Sequence, residues 1–455
     1  MAESEPPPTG CTTTFWGWGG VSRGESFFHD QLAAEVLCQL VREVPTASWL
    51  PRGAGCSYGD AALNSSGTLL RLLGSERIEL DSDAGQVRVG AGMRLGDLLS
   101  RLVPLGWWVG GVPGFLDVTV GGIAAADAHG KDHLGSGSFG DQIEEIDLVT
   151  ADGSRSRISR NRDGELFAAT IGGMGLTGQI TRLLLRLQKL PSAWMVQTKR
   201  RTETLTETFD RLEEMLAEHS HVAAWIDGME RGKNLGRGVV SGANFAERSL
   251  LSSIGSARHF RWQPTRPFPL VPALSSVFTA RTVRCFNSLR WSFSPSEKRE
   301  GLRPIAQALF PLESLKRWNR LYGEAGLFQH QCVLPREVAP EGVEEILRTL
   351  HESKNPPFLV VLKRLGTGTF PLSFPLDGWT LSCDLAASPS SEAVLRVLDE
   401  RVAALGGRVY LAKDSTLTPA LLERMYPRLG ELREVRRRVD PEGRLASDLS
   451  RRLRI

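Results

Sequence analysis

Pro113-Gly-Phe-Leu-Asp-Val-Thr-Val-Gly-Gly-Ile-Ala-Ala-Ala-Asp-Ala-His-Gly-Lys131 carries the densest signal in this 455-residue chain. Thr119 and the Gly121-Gly122 pair stand ahead of small residues from Ile123 to Ala128, which permit close backbone approach. A helix beginning there would turn its first N–H groups toward a phosphate. The spacing is not the G-x-G-x-x-G that follows the first strand of a Rossmann unit, so that fold is disfavoured. Upstream, Pro51-Arg-Gly-Ala-Gly-Cys-Ser-Tyr-Gly-Asp60 repeats the theme. Its glycines admit positive φ and let backbone amides converge on an anion, to which Arg52 would add a charged contact. Gly172-Gly-Met-Gly-Leu-Thr-Gly178 is a third loop of the same character. One such loop means little, but three in close succession point to an extended, phosphate-bearing cofactor.

Around these loops the N-terminal third alternates short strands and helices. Residues 86–91 alternate at period two; Leu95, Leu98, Leu99 and Leu102 then recur at helical spacing, with Gly106 as a stop. A strand running into a turn is predicted over 107–113, and strands over 143–150 before the turn Ala151-Asp-Gly153 and over 179–187. A boundary falls near Leu190-Pro191. Beyond it, helices over 205–216 and 341–350 and strands over 221–226, 358–363 and 379–385 form an α+β pattern. From about Tyr410 the chain becomes Arg-rich helix. These marks divide it into 1–192, 193–408 and 409–455.

The 41% apolar and 24% charged fractions are those of an ordinary globular protein. No run approaches the ~18 apolar residues of a spanning helix. A net charge of +3 is too small to imply nucleic acid. Charge is local instead. Residues 424–455 hold ten Arg against five acids, read as a solvated basic face. Residues 251–303 hold nine Lys or Arg against Glu297 and Glu300, among Pro264, Pro267, Pro269 and Pro272 and beside Trp262, Phe268, Val271, Leu274, Val277 and Phe278. That mixture predicts an irregular segment near an anionic or lipidic surface. The six scattered cysteines are expected to be reduced thiols. The start, Met-Ala-Glu-Ser-Glu-Pro-Pro-Pro, lacks a basic n-region and an apolar h-region, so no secretory signal is predicted. A cytoplasmic or peripherally membrane-associated protein is expected. His129 and His133 with Asp127 and Asp132 invite a metal, but Gly130 argues against a continuous helix and no further Cys/His cluster supports a site, so none is predicted.

Taken together, Arg52-Gly-x-Gly-x-Ser-Tyr-Gly-Asp60, Pro113-Gly with Val118-Thr-Val-Gly-Gly122, Asp127-x-His-Gly-Lys131 and Gly137-Ser-Phe-Gly140 resemble a flavin oxidoreductase of the vanillyl-alcohol-oxidase type. Within that superfamily the chain resembles the decaprenylphosphoryl-β-D-ribose 2′-oxidase family. Trp318-Asn-Arg-x-Tyr-Gly323, Gln329-x-Gln331, Pro371-Leu-Ser-Phe-Pro375, Ala412-Lys-Asp-Ser415, Met425-Tyr-Pro427 and Arg437-Arg-x-Val-Asp-Pro441 extend the likeness in order along almost the whole chain. It is weakest near 240–310.

The resemblance implies an α+β, two-domain FAD-binding (PCMH-type) fold. An antiparallel-sheet substrate domain would cap the flavin, and the C-terminal segment would return to the FAD domain. FAD would be held by Arg52, Gly53, Ala54, Gly55, Cys56, Ser57 and Tyr58, by Pro113, Gly114, Thr119, Gly121, Gly122 and Ala125, and by His129, Gly175, Gly178, Ile180 and Tyr410. Lys131, Trp225, Gln329, Gln331, Lys363, Ser382 and Lys413 would line the substrate pocket. Lys413, with Tyr58 and His129, would serve the chemistry, Lys413 handling the hydroxyl proton. By itself Lys363 reads as a strand-edge lysine; the surrounding likeness gives it a substrate role. The implied reaction oxidises the ribosyl 2′-hydroxyl of a polyprenyl-phosphoryl ribose, with an NAD-dependent short-chain reductase completing an epimerisation. A sugar, aldonolactone or alditol oxidase acting on a soluble substrate is the rival, and a flavoprotein serving as a binding partner is another.

Two positions depart from the family. Cys56 stands where relatives of the superfamily carry a flavin-linked histidine and the family an arginine. Because the cysteine link of the superfamily comes from the 113–122 region, which has no Cys, non-covalent FAD is expected. The family's active-site cysteine aligns with Ser382, leaving Cys383 displaced by one and, in a strand, facing the other way.

Overall fold

The computed structural model describes residues 10–43, 48–74, 77–265, 278–315 and 317–455. Pro267, Phe268, Pro269, Val271, Pro272, Leu274 and Val277 of the basic segment, and the acidic N-terminus, lie outside them.

Two sheets and the chain's end build the N-terminal unit. Cys11–Trp16 and Arg23–Leu32 form an antiparallel pair, extended by Thr68–Leu72 and Trp49–Pro51 in parallel. The second sheet is antiparallel, in the order Ile78–Asp81, Gln86–Gly90, Gln179–Arg186, Ile143–Val149, Arg155–Ser159. Helix Leu95–Leu102 packs on it because its leucines repeat on one face; Leu95, Leu98, Leu99 and Leu102 are fully buried with Val87, Ile146 and Leu183. Gly106, at φ +77°, ends that segment. In the stretch 107–113 the strand is Trp107–Trp108; in the turn beyond it the Gly111 N–H is taken by the Asp132 carboxylate at 3.0 Å.

The middle of the chain forms an eight-stranded antiparallel sheet. Its order is Arg299–Pro304, Trp194–Thr202, Gly238–Phe245, His221–Ile226, Leu359–Leu365, Gly378–Ala386, Leu327–Pro335, Arg408–Val409. Helices Leu205–Glu218, Ala339–Glu352 and Pro389–Ala404 cover one face, where Phe328, Val360, Leu362, Leu381 and Cys383 meet Leu212, Leu347 and Leu398 in one core. Strand parity sends Gln329, Gln331, Lys363 and Ser382 to the opposite face.

Two readings of charge are corrected. The segment over 251–303 is not irregular throughout. It contains helix Ala280–Ser292, opened by a Thr279–Thr282 capping box, and the edge strand Arg299–Pro304. The Arg-rich end is not only a solvated face either. Arg444 donates to the Val41 and Ala151 carbonyls, both at 2.7 Å, and Arg452 bridges Asp60 and Asp414 at 2.8 and 2.9 Å. Leu445 also pairs with Trp49, which stitches the C-terminus into the first sheet. Among the described residues no helix is long and apolar enough to cross a membrane.

Candidate active site

A cavity of 660 Å³ opens between the glycine-rich loops and the uncovered face of the eight-stranded sheet. That is ample for an extended ligand. Its wall includes Arg52 to Tyr58, Pro113, Gly114, Thr119, Gly121, Gly122, Ala125, Gly175, Gly178 and Ile180. The N–H groups of Arg52 and Tyr58 are engaged by the Leu70 and Ala412 carbonyls, each at 2.9 Å. Between them, the N–H groups of Gly53, Ala54, Gly55, Cys56 and Ser57 donate to no acceptor among the described residues. Five consecutive amides facing a cavity are an anion cradle.

The other two expectations for this wall concern Arg52 and the helix start. The Arg52 guanidinium, on the cavity wall, donates to the Ala62 and Trp16 carbonyls and lies over the Phe15 ring, so it also braces the loop. At helix Val120–Ala125 the first amides are already bonded. Val120 donates to Met93, Gly121 to Ala91 and Gly122 to the capping Thr119 hydroxyl. Gly121 is needed for contact: a Cβ there would fall 2.8 Å from that of Ala91.

His129, Gln331 and Tyr410 sit at the deep side of the cavity. The His129 ring lies 5.2 Å from Phe374 and 5.3 Å from Tyr410, whose hydroxyl donates to the Ala126 carbonyl at 3.0 Å. Burial, with Lys363, His133 and Lys413 nearby, holds the imidazole well below its usual pKa, hence neutral. The Gln331 amide donates to its Nε2 at 3.0 Å, which places the ring proton on Nδ1. That atom is buried with no partner among the described residues. Asp127, His133 and Asp132 turn elsewhere: Asp127 accepts from Ser138, Ser373 and the Gly140 N–H, His133 from the Gly366 N–H, and Asp132 from the Gly111 N–H.

Two lysines face the cavity. Lys413 holds its Nζ 3.5 Å from the Tyr58 ring centroid, and burial lowers its pKa to about 7 against the pull of Asp384 and Cys56. Lys363 is lowered to about 8, also by burial. Neither makes an ion pair or a side-chain hydrogen bond among the described residues. Gln329 and Ser382 complete this side. Lys131 does not join them; its Nζ donates to the Ala308 and Leu309 carbonyls at 3.3 and 3.0 Å. Trp225 shares the sheet face, but its indole lies under Arg290 at 4.3 Å and does not line the cavity.

Comparison with known proteins fits this geometry. An FAD binding domain model matches residues 33–159, and a D-arabinono-1,4-lactone oxidase model matches 385–453. A decaprenylphosphoryl-β-D-ribose oxidase of Mycolicibacterium smegmatis is 33% identical over 466 residues, spanning 100% of both chains. The chain belongs to the decaprenylphosphoryl-β-D-ribose oxidase family. An uncharacterised Streptomyces coelicolor protein is 37% identical over 78% of this chain and 98% of its own. A Streptomyces alditol oxidase is 26% identical over 97% and 99%. This member of the oxidase family is thus an FAD-dependent oxidoreductase, and the residues present suit the cofactor: a bare amide cradle for a pyrophosphate and an orphaned His129 donor on the same cavity wall.

The departures from the family take physical form. The Cys56 thiol lines the cavity, and burial pushes its pKa up to about 12, so the nucleophilic thiolate is suppressed. Ser382 faces the cavity while Cys383 is fully buried against the helices. One buried acid escaped the sequence reading. Asp384 lies directly across from Gln329, whose amide donates to its Oδ1, and its Oδ2 is buried with no partner among the described residues. Burial raises this carboxyl to about 7. Period-two counting from Ser382 was the one signal that could have placed it on the cavity face.

Proposed function

We propose that this enzyme oxidises the 2′-hydroxyl of a polyprenyl-phosphoryl-β-D-ribose to the 2′-ketone. A separate NAD-dependent short-chain reductase would then complete the epimerisation, and the oxidase would work at a membrane surface. The observation that carries the reading is the pair of half-buried lysines, Lys363 and Lys413, facing one cavity without ion-pair partners among the described residues. Such a pair suits an anionic substrate whose hydroxyl must also lose a proton. The full-length relative named for a prenyl-phosphoryl ribose supports the substrate class.

FAD supplies the acceptor for the hydride leaving C2′. Within the chain, the amides of Gly53 to Ser57 would hold the pyrophosphate, and the raised pKa of the Cys56 thiol supports non-covalent binding. The neutral amine of Lys413 takes the hydroxyl proton, as its lowered pKa allows near neutral pH. Lys363, protonated, holds a phosphate oxygen. Gln329, Gln331 and Ser382 orient the sugar, and the Tyr58 ring fixes the Lys413 head.

A second reading, oxidation of a soluble alditol or aldonolactone, is favoured by the absence of a cavity-facing thiol at Ser382 and by the full-length alditol oxidase relative. Turnover with an artificial electron acceptor separates the two. The proposed function predicts a 2′-keto product from prenyl-phosphoryl ribose and none from free alditols; the opposite selectivity overturns it.

A further inference from the structure

We propose that helix Ala280–Ser292, with the Phe293 that follows it, is a docking surface for an anionic lipid membrane. The inference deepens the reading above and rests on it for the direction in which a substrate tail would leave. Phe286, Leu289 and Phe293 are 62%, 51% and 86% exposed, and their spacing gathers them into one outward stripe. The stripe is held outward by the opposite face. Asn287 donates to the buried Asp227 at 2.9 Å, the Trp291 indole N–H donates to the Thr202 carbonyl at 2.9 Å, and Arg290 covers Trp225. Contiguous exposed apolar groups of this size mark an interaction site.

Charge selects the partner. Between Glu247 and Glu297 the sequence has seven Arg and no Asp or Glu. Arg281 and Arg284 of the same helix are exposed as well. Apolar side chains among unopposed arginines match an anionic headgroup layer better than a protein face of mixed charge. An aromatic track joins this surface to the cavity. Phe278, two residues before the helix, packs 5.1 Å from Tyr322 and 5.3 Å from Phe358. Tyr322 lies 6.3 Å from Trp318, and Trp318 lies 6.4 Å from Tyr58. Trp318 and Tyr58 line the cavity. A prenyl tail leaving the cavity along these rings would emerge beside the docked helix.

The test is sedimentation of the FAD-loaded full chain with vesicles of phosphatidylglycerol and phosphatidylcholine, or of phosphatidylcholine alone. Wild type should bind the anionic vesicles and release from them in high salt. The triple variant F286S/L289S/F293S, with flavin content and Tm as fold controls, should bind roughly tenfold or more weakly. R281E/R284E should lose the preference for anionic lipid. Equal binding to neutral vesicles, no binding by wild type, or undiminished binding by the triple variant would overturn the proposal. So would loss of self-association or of reductase capture in that variant without loss of vesicle binding. Turnover of a short-chain, water-soluble prenyl-phosphoryl ribose should be unchanged in the triple variant. If wild type fails to turn that substrate over while vesicle binding holds, the substrate reading fails and the docking surface stands.

Discussion

Lys413 is useful because of what surrounds it. Burial strips its ammonium of water, while Asp384 partly restores the charged form, so the balance falls at about 7. A lysine acting as base must be neutral, so kcat should rise with pH through that value. Removing the Asp384 charge takes away what favours the ammonium, so Asp384→Asn should lower the Lys413 pKa and move the profile toward acid. A pH–rate series on both proteins checks this, and an unshifted or alkaline-shifted profile would assign Asp384 a packing role only. At this scale the sequence was legible where a motif named the residue, as with Lys413, His129 and Gln331. Asp384 was not, because its meaning depends on facing Gln329 across a strand pair. Lys131 was misread for the converse reason: the carbonyls of Ala308 and Leu309, remote in sequence, captured its ammonium.

Among the elements, the loop from Arg52 to Tyr58 and the last helix matter most. A Cβ at Gly53 would overlap the Thr119 hydroxyl, so Gly53→Ala must push the cradle off its position. Titration of FAD-free protein by flavin fluorescence should show binding weaker by about 1–3 kcal/mol; unaltered affinity would mean the amides are not the grip. Helix Asp448–Leu453 is pinned by Arg452, which bridges Asp60 and the fully buried Asp414. Arg452→Met leaves that carboxylate buried and unneutralised, and should cost about 3–5 kcal/mol in urea unfolding. A loss below about 1 kcal/mol, the level of an exposed pair, would place this bridge with surface salt bridges. Composition alone could not separate these pinning arginines from solvated ones, since both read as a charge run. Helix Ala280–Ser292 was hidden for a related reason: it buries only Val283 and the polar Asn287 and turns its larger apolar residues outward, the reverse of the usual pattern.

For the whole molecule, strand parity organises function. One face of the eight-stranded sheet carries the core under three helices, and the other carries Gln329, Gln331, Lys363 and Ser382 over the glycine-rich loops. The sequence marked three of the eight strands, 221–226, 358–363 and 379–385, with ends within a residue or two. Which face would meet the loops was not legible, because it depends on helices far along the chain. The account as a whole is tested most directly by mixing the FAD-loaded enzyme anaerobically with polyprenyl-phosphoryl-ribose and following flavin absorbance. It predicts bleaching in a single turnover, faster above pH 7 than below it, and slowed roughly 100-fold or more in Lys413→Ala. Flavin that stays yellow with this substrate, or a Lys413→Ala variant that bleaches at the wild-type rate, would contradict it.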